Sequence, residues 1–128
     1  EEAICAGDIV RVGGALIQVS GPRVPCANLA RRIGRDDWVK LTIRENRTGC
    51  YARVLEAGVV QPSDGWLLQE RFNVEGTIPA INRCLYLDFA PAYAERMQQM
   101  PGLADWWKEL ARERLANQRA HWTMTMKE

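Results

Sequence analysis

The sequence is poor in the residues on which most small-enzyme chemistry rests. It holds one histidine, His121, in the tail RAHWTMTMKE, so neither a catalytic triad nor a histidine general base can be assembled. There is no phosphate loop and no GxGxxG, which leaves nucleotide-cofactor readings unsupported. Asp36-Asp37 is the conspicuous carboxylate pair, but adjacent residues rarely face one another, so it reads as a loop or helix-start feature. The four cysteines at 5, 26, 50 and 84 form no CxxC and no zinc-like spacing, and reduced thiols are the expectation. No apolar run approaches membrane-spanning length, and no basic segment with an apolar core opens the chain. A soluble protein without membrane contact, not secreted by this segment, is expected.

What is present fits one compact unit with a satellite, since 128 residues are too few for two full-sized domains. The composition is 47% hydrophobic and 26% charged, which disfavours disorder, coiled coil and collagen-like chains. Net charge is only +1, yet eight cations face three anions between Arg23 and Arg53, whereas five face five between Thr77 and Gln118. That cationic surplus around Cys26 reads either as a solvated face or as a place for an anionic ligand. The charge balance of the C-terminal part ranks a nucleic acid polymer last among partners.

Residues 8–20, DIVRVGGALIQVS, alternate about Gly13-Gly14 and predict a hairpin. Pro22 and Pro25 then stop the ladder just before Cys26. A short helix is expected around Trp38, Leu41 and Ile43, then strands over 48–56 and 66–72, separated by the turn residues Pro62, Ser63, Asp64 and Gly65. From Thr77 the period lengthens. Thr77 reads as an N-cap before Ile78, Ile81 and Leu85, and Pro91 opens a second helix carrying Tyr93, Met97 and Met100. Pro101-Gly102 breaks the chain, and Leu103, Trp107, Leu110 and Arg114 mark a third helical stripe. The expected class is mainly β, with antiparallel strands, followed by a small three-helix unit: residues 1–74, then 75–118, then a tail at 119–128 that lacks a clear period.

The order ICAGD (4–8), PRVPC (22–26), NRTGCYARVLEAG (46–58), TIPAINRCLY (77–86) and LADWWKELARERL (103–115) resembles the MOSC family, named for the C-terminal domain of molybdenum cofactor sulfurases. It looks like the bacterial stand-alone members that carry a three-alpha domain after a MOSC β-barrel. The resemblance implies a cytoplasmic protein that binds the molybdenum cofactor (molybdopterin), with Cys26 as the thiol that ligates molybdenum or carries sulfur. Stand-alone members are linked to reducing N-hydroxylated base analogues, with electrons from a partner reductase. Pyridoxal phosphate belongs to another domain of the sulfurases and is not expected here. Such members carry about 80 to 100 residues ahead of the ICAGD-like segment, a typical domain's length. The sequence opens on Glu1 rather than methionine, and the expectation is a C-terminal part whose N-terminal MOSC segment, or a second chain, completes the barrel. A homo-oligomer is left open.

The residue chemistry agrees with that expectation. A thiolate is a soft donor suited to molybdenum, and flanking cations lower its pKa and hold the phosphate of the pterin. Arg23 and Arg47 are the leading phosphate candidates because guanidinium offers a planar fork. Thr48, Gly49 and Arg53 complete the expected cofactor-binding set, with Gly49 allowing close backbone approach or marking a bulge, and Arg53 also readable as an ion-pair partner inside a barrel. Cys26 is the expected catalytic and metal-ligating residue. Cys5, Cys50 and Cys84 read as structural. Two other functions stay open: a persulfide carrier through Cys26, supplied by a sulfur donor, and a non-catalytic domain whose helices dock a partner through Trp106, Trp107 and Met97.

Overall fold

The structure, a computed structural model, describes residues 4–23, 41, 44–46 and 48–127, and of 119–127 only the backbone. Cys26 and Arg47 lie outside the described residues, as does most of the helix expected around Trp38; of that segment Leu41 is helical, followed by Arg44 and Glu45.

Ile9–Val12 and Ala15–Pro22 form strands β1 and β2, and the chain reverses at Gly13-Gly14 as the alternation predicts. Cys50–Glu56 and Trp66–Glu70 form β3 and β4. All pairings are antiparallel in the order β3-β2-β1-β4, an open sheet. Register aligns Val54, Ile17, Val10 and Leu68 in one row across the four strands. Opposed residues share a face, so this row is apolar throughout. Its centre is covered, with Val10 4% exposed, while Val54 at 65% and Leu68 at 50% stand open on the two edge strands. An exposed pair of Arg11 with Glu56, 3.2 Å apart, marks the opposite, polar face.

Among the described residues three helices follow the sheet. Thr77 Oγ1 accepts from the Ala80 N–H at 3.2 Å and caps α1, Ile78–Asn82. The helix does not continue regularly to Leu85; it widens into one π turn, Arg83–Leu87, closed by the Asp88 N–H on the Arg83 carbonyl at 2.7 Å. Pro91 opens α2, Pro91–Met97, and after the Pro101-Gly102 break α3 runs from Asp105 to Lys127. Its 23 residues make a rod of about 34 Å, so the tail expected at 119–128 continues the helix as far as Lys127. The buried stripe also departs from expectation. It follows Leu103, Trp107, Ala111 and Leu115, while Leu110 is partly buried and Arg114 half-exposed. Steps of four keep those residues on one face, and alanine at 111 lets α3 approach closely.

Ile81, Leu85, Ala94, Met97, Met100, Leu103 and Trp107 form one buried cluster with Ala6. Ala6 belongs to the ICAGD segment, which is tied to the helical half by the Ala6 N–H on the Gly76 carbonyl and the Ile78 N–H on the Ile4 carbonyl. Gly21 in β2 is the other junction. A Cβ there would come within 2.7 Å of the Trp107 ring, so only glycine lets α3 rest on the strand. Asp8, 2% exposed, closes the same region by accepting the Cys5 N–H at 2.9 Å and both Nε and Nη2 of Arg71 at 3.0 and 2.7 Å.

Candidate functional site

The two motifs singled out in the sequence meet at the end of β2. Pro22 pairs with Cys50, and the Arg23 N–H donates to the Gly49 carbonyl at 2.9 Å. Pairing therefore runs one bond past Pro22, which is the last residue of the strand rather than a stop before it. Gly49 has φ of 80°, a backbone region that side chains disfavour, and so is a turn residue; the register irregularities of β2 against β3 lie between Leu16 and Ile17 and between Val19 and Gly21 instead. The Gly49 carbonyl also accepts from Thr48 Oγ1 at 3.0 Å. Arg23 is exposed at this strand end and has no ion-pair partner among the described residues.

Helix α1 backs the turn. Asn82, 1% exposed, donates from Nδ2 to Thr48 Oγ1 at 3.0 Å, and Asn46 donates from Nδ2 to the Pro79 carbonyl at 2.8 Å. Asn46 takes φ of 54°, which asparagine tolerates better than most residues. Thr48 is itself buried at 8%. The side-chain oxygens of Asn46 and Asn82 are both buried without a hydrogen-bond partner. Sequence reasoning passed over both asparagines. A signal existed for Asn82, a poor helix former on the same face as Ile78, Ile81 and Leu85.

The structure thus brings Arg23, Thr48 and Gly49 together. Cys26 follows Arg23 by three positions in the sequence, and Arg47 precedes Thr48, both outside the described residues. Arg53 stands apart. It pairs in register with Gln18, and its Nη2 donates to the Gly102 carbonyl at 2.9 Å, at the break between α2 and α3. Burial pushes the Cys5 and Cys84 thiols above the ordinary range, which keeps them protonated and unreactive. No group of three histidine, cysteine or acidic residues suited to a metal occurs among the described residues. Trp107 and Met97, expected on a docking face, are buried at 2% and 0%. Trp106 remains 52% exposed, its ring edge-on to Trp107 with centroids 4.7 Å apart. No described helix is long and apolar enough to cross a membrane.

Comparison with known proteins agrees with this layout. The MOSC domain model matches residues 1–65. YflK of Bacillus subtilis is 36% identical over 109 residues, covering 84% of this chain and 49% of that protein. A Gibberella moniliformis protein named "Reductase" is 35% identical over 123 residues, 90% of this chain and 21% of its own length. The chain therefore spans about half of one relative and about a fifth of the other. Among solved structures, YiiM from Geobacillus stearothermophilus superposes with a TM-score of 0.85 at 35% identity, over 90% of this chain and 60% of that one. YiiM from Escherichia coli gives 0.82 at 27% identity, over 91% and 58%.

Proposed function

The chain belongs to the MOSC domain family, and from that premise we propose that it binds the molybdenum cofactor where the PRVPC and RTG segments meet and reduces N–O bonds of N-hydroxylated bases. The observation that carries the reading is the pairing of Pro22 and Arg23 with Cys50 and Gly49. It sets Pro22 and Arg23, the first two residues of PRVPC, beside the Gly49 turn at one strand end.

The donor set suits the group. Cys26 offers a soft thiolate for molybdenum, Arg23 and Arg47 offer forked donors for the phosphate, and two buried acceptor oxygens sit behind the turn. When bound, the cofactor supplies the two-electron chemistry, and the protein sets ligation, charge and access. Reduction of an N-hydroxyl group to an amine consumes two electrons and two protons and releases water, so a partner reductase must deliver the electrons. Thr48 and Gly49 hold the turn in shape, and the exposed guanidinium of Arg23 counters anionic charge at the site. Arg53 is left to tie the sheet to the Gly102 loop.

The open edges of β3 and β4 support a further element of the reading. The apolar residues exposed on these edge strands, Val54 and Leu68 among them, suit additional strands, supplied by an N-terminal MOSC segment or a second chain. The YiiM relatives, of which this chain spans about three fifths, support the same proposal.

The test is the molybdenum and pterin content of protein purified from a host that makes the cofactor, for wild type, Cys26→Ser and Cys84→Ser. Wild type and Cys84→Ser are expected to hold molybdenum and Cys26→Ser to lose it. Equal molybdenum in wild type and Cys26→Ser overturns the ligand assignment. Persulfide on Cys26 without molybdenum identifies a sulfur carrier instead.

A further inference from the structure

We infer that the cleft between α1 and α2 binds a small zwitterion, an α-amino acid with an apolar side chain. The site is separate from the RTG turn. Asn82 turns its side chain to Thr48, whereas Ala80, Arg83 and Cys84 of the same segment line a cavity of about 460 Å³, bordered across from them by Ala90, Tyr93 and Arg96. That volume lies within the ~300–1,000 Å³ of small-molecule sites.

The π turn gives the cleft its charges. A π turn closes residue i on i+5, and here the Asp88 N–H meets the Arg83 carbonyl at 2.7 Å. In a regular α-helix two residues five apart lie about 140° round the axis from one another; the wider turn lets both Arg83 and Asp88 line one cleft. Neither side chain has an ion-pair partner among the described residues. One positive and one negative charge therefore stand open at the same cavity without neutralising each other. Arg96 differs, because its charge is already answered. Its Nε lies 3.1 Å from Glu75 Oε2, its guanidinium sits over the Tyr93 ring at 5.4 Å from the centroid, and the Tyr93 O–H is spent on the Glu75 carbonyl at 2.8 Å.

Two open charges of opposite sign over apolar walls select a ligand that carries both signs on an apolar body. The carboxylate of an amino acid takes the planar fork of Arg83, its ammonium takes the Asp88 carboxylate, and its side chain lies against Ala80, Cys84 and Ala90. A carboxylate without an amine would sit beside Asp88, and an amine without a carboxylate beside Arg83, each in a like-charge contact that the zwitterion avoids.

The experiment is an amide chemical-shift titration of the full, nitrogen-15-labelled chain with phenylalanine, with phenylpropanoate, which lacks the amine, and with phenethylamine, which lacks the carboxylate. Wild type is expected to bind phenylalanine at least about tenfold more tightly than either relative, with the shifts falling on Ala80, Cys84 and Ala90 rather than on Thr48 and Gly49. Arg83 and Asp88 are exposed, so substitutions there spare the fold. Arg83→Gln is expected to weaken phenylalanine and phenylpropanoate about fivefold and leave phenethylamine unchanged. Asp88→Asn is expected to weaken phenylalanine and phenethylamine about fivefold and leave phenylpropanoate unchanged, both on the scale of a solvent-exposed charge contact. No phenylalanine binding by wild type, affinity unchanged in both variants, or a variant that loses all three probes equally overturns the inference. Phenylpropanoate or phenethylamine bound as tightly as phenylalanine overturns it too, in favour of a cleft for simple anions or simple cations. None of these outcomes bears on Cys26 or on the cofactor reading, which stands or falls by molybdenum content.

Discussion

Trp107 and Trp66 are the same residue type in two halves of one molecule, yet the first is 2% exposed and the second 53%. The contrast extends to leucine, with Leu103 at 3% in the helical half and Leu67 at 64% in the sheet. The helical half closes its own core because three helices and the ICAGD segment surround one cluster. The sheet half does not, because a four-stranded open sheet covers its centre and leaves β3 and β4 as edges. Burial in this protein is thus decided by whether an element has neighbours on both sides, not by how apolar its sequence is. The half that lacks neighbours is also the half that carries the RTG turn.

The largest expected effect tests that contrast directly. Trp107→Ala should cost about 3–5 kcal/mol, the range for emptying a buried aromatic site. Trp66→Ala should cost under about 0.5 kcal/mol, as surface substitutions do. Urea denaturation of both variants measures the difference. A cost at Trp66 approaching that at Trp107 would mean that the face of β4 carrying Trp66 is covered in solution, and the comparison would then break in favour of a bound strand.

Next in size is the ion pair that fastens the ICAGD segment to the residue after β4. Arg71→Met leaves the Asp8 carboxylate, 2% exposed, without its two guanidinium bonds. Stranding one member of a buried pair costs about 3–5 kcal/mol, and the partial exposure of Arg71 places this case near about 3 kcal/mol. If the halves fold as one unit, tryptophan fluorescence and far-ultraviolet circular dichroism will shift together. Separate midpoints would show that the sheet can open while the helical core persists. A smaller effect, about 1 kcal/mol, is expected for Thr77→Ala, which removes the cap bond to the Ala80 N–H; a loss below about 0.3 kcal/mol in the same denaturation would show that neighbouring contacts, not the cap, start α1.

Local patterns made much of this legible in the sequence. The Gly13-Gly14 hairpin, the Thr77 cap, the helix start at Pro91 and the break at Pro101-Gly102 follow from residues acting within a few positions of themselves, and each occurs as expected, although α2 ends at Met97 and leaves Met100, expected on the same helix, beyond it. Features set by distant contacts were not readable. The π turn at Arg83–Leu87 has no periodic signature of its own. The stripe through Ala111 and Leu115 depends on how α3 lies against β2, which Gly21 and Trp107 decide together. At the candidate site, the motif residues Thr48 and Gly49 were found because they stand together in the chain. Asn46 and Asn82 were missed because their relation exists only after a turn and a helix, 33 and 34 residues apart at the two bonds, are brought into contact.

The smallest expected effect uses protonation to sharpen the same contrast. Burial raises the pKa of Cys84, Cys5, Tyr86 and Tyr93; Cys84, Tyr86 and Tyr93 lie in or against the helical core, and Cys5 is buried where it bridges to Thr77. Each prefers its neutral form in the fold more strongly than in the unfolded chain. Their stabilising contribution is therefore complete below the ordinary thiol value of about 8.5 and is lost as pH rises through the folded values, the thiols before the phenols. The melting temperature should hold steady from about pH 6 to 8 and decline above about pH 9. Cys84→Ala removes one of these titrations and should flatten the first part of that decline, at the cost of a lower starting value. An unchanged first part of the decline in Cys84→Ala would show that the Cys84 thiol does not carry the early alkaline loss.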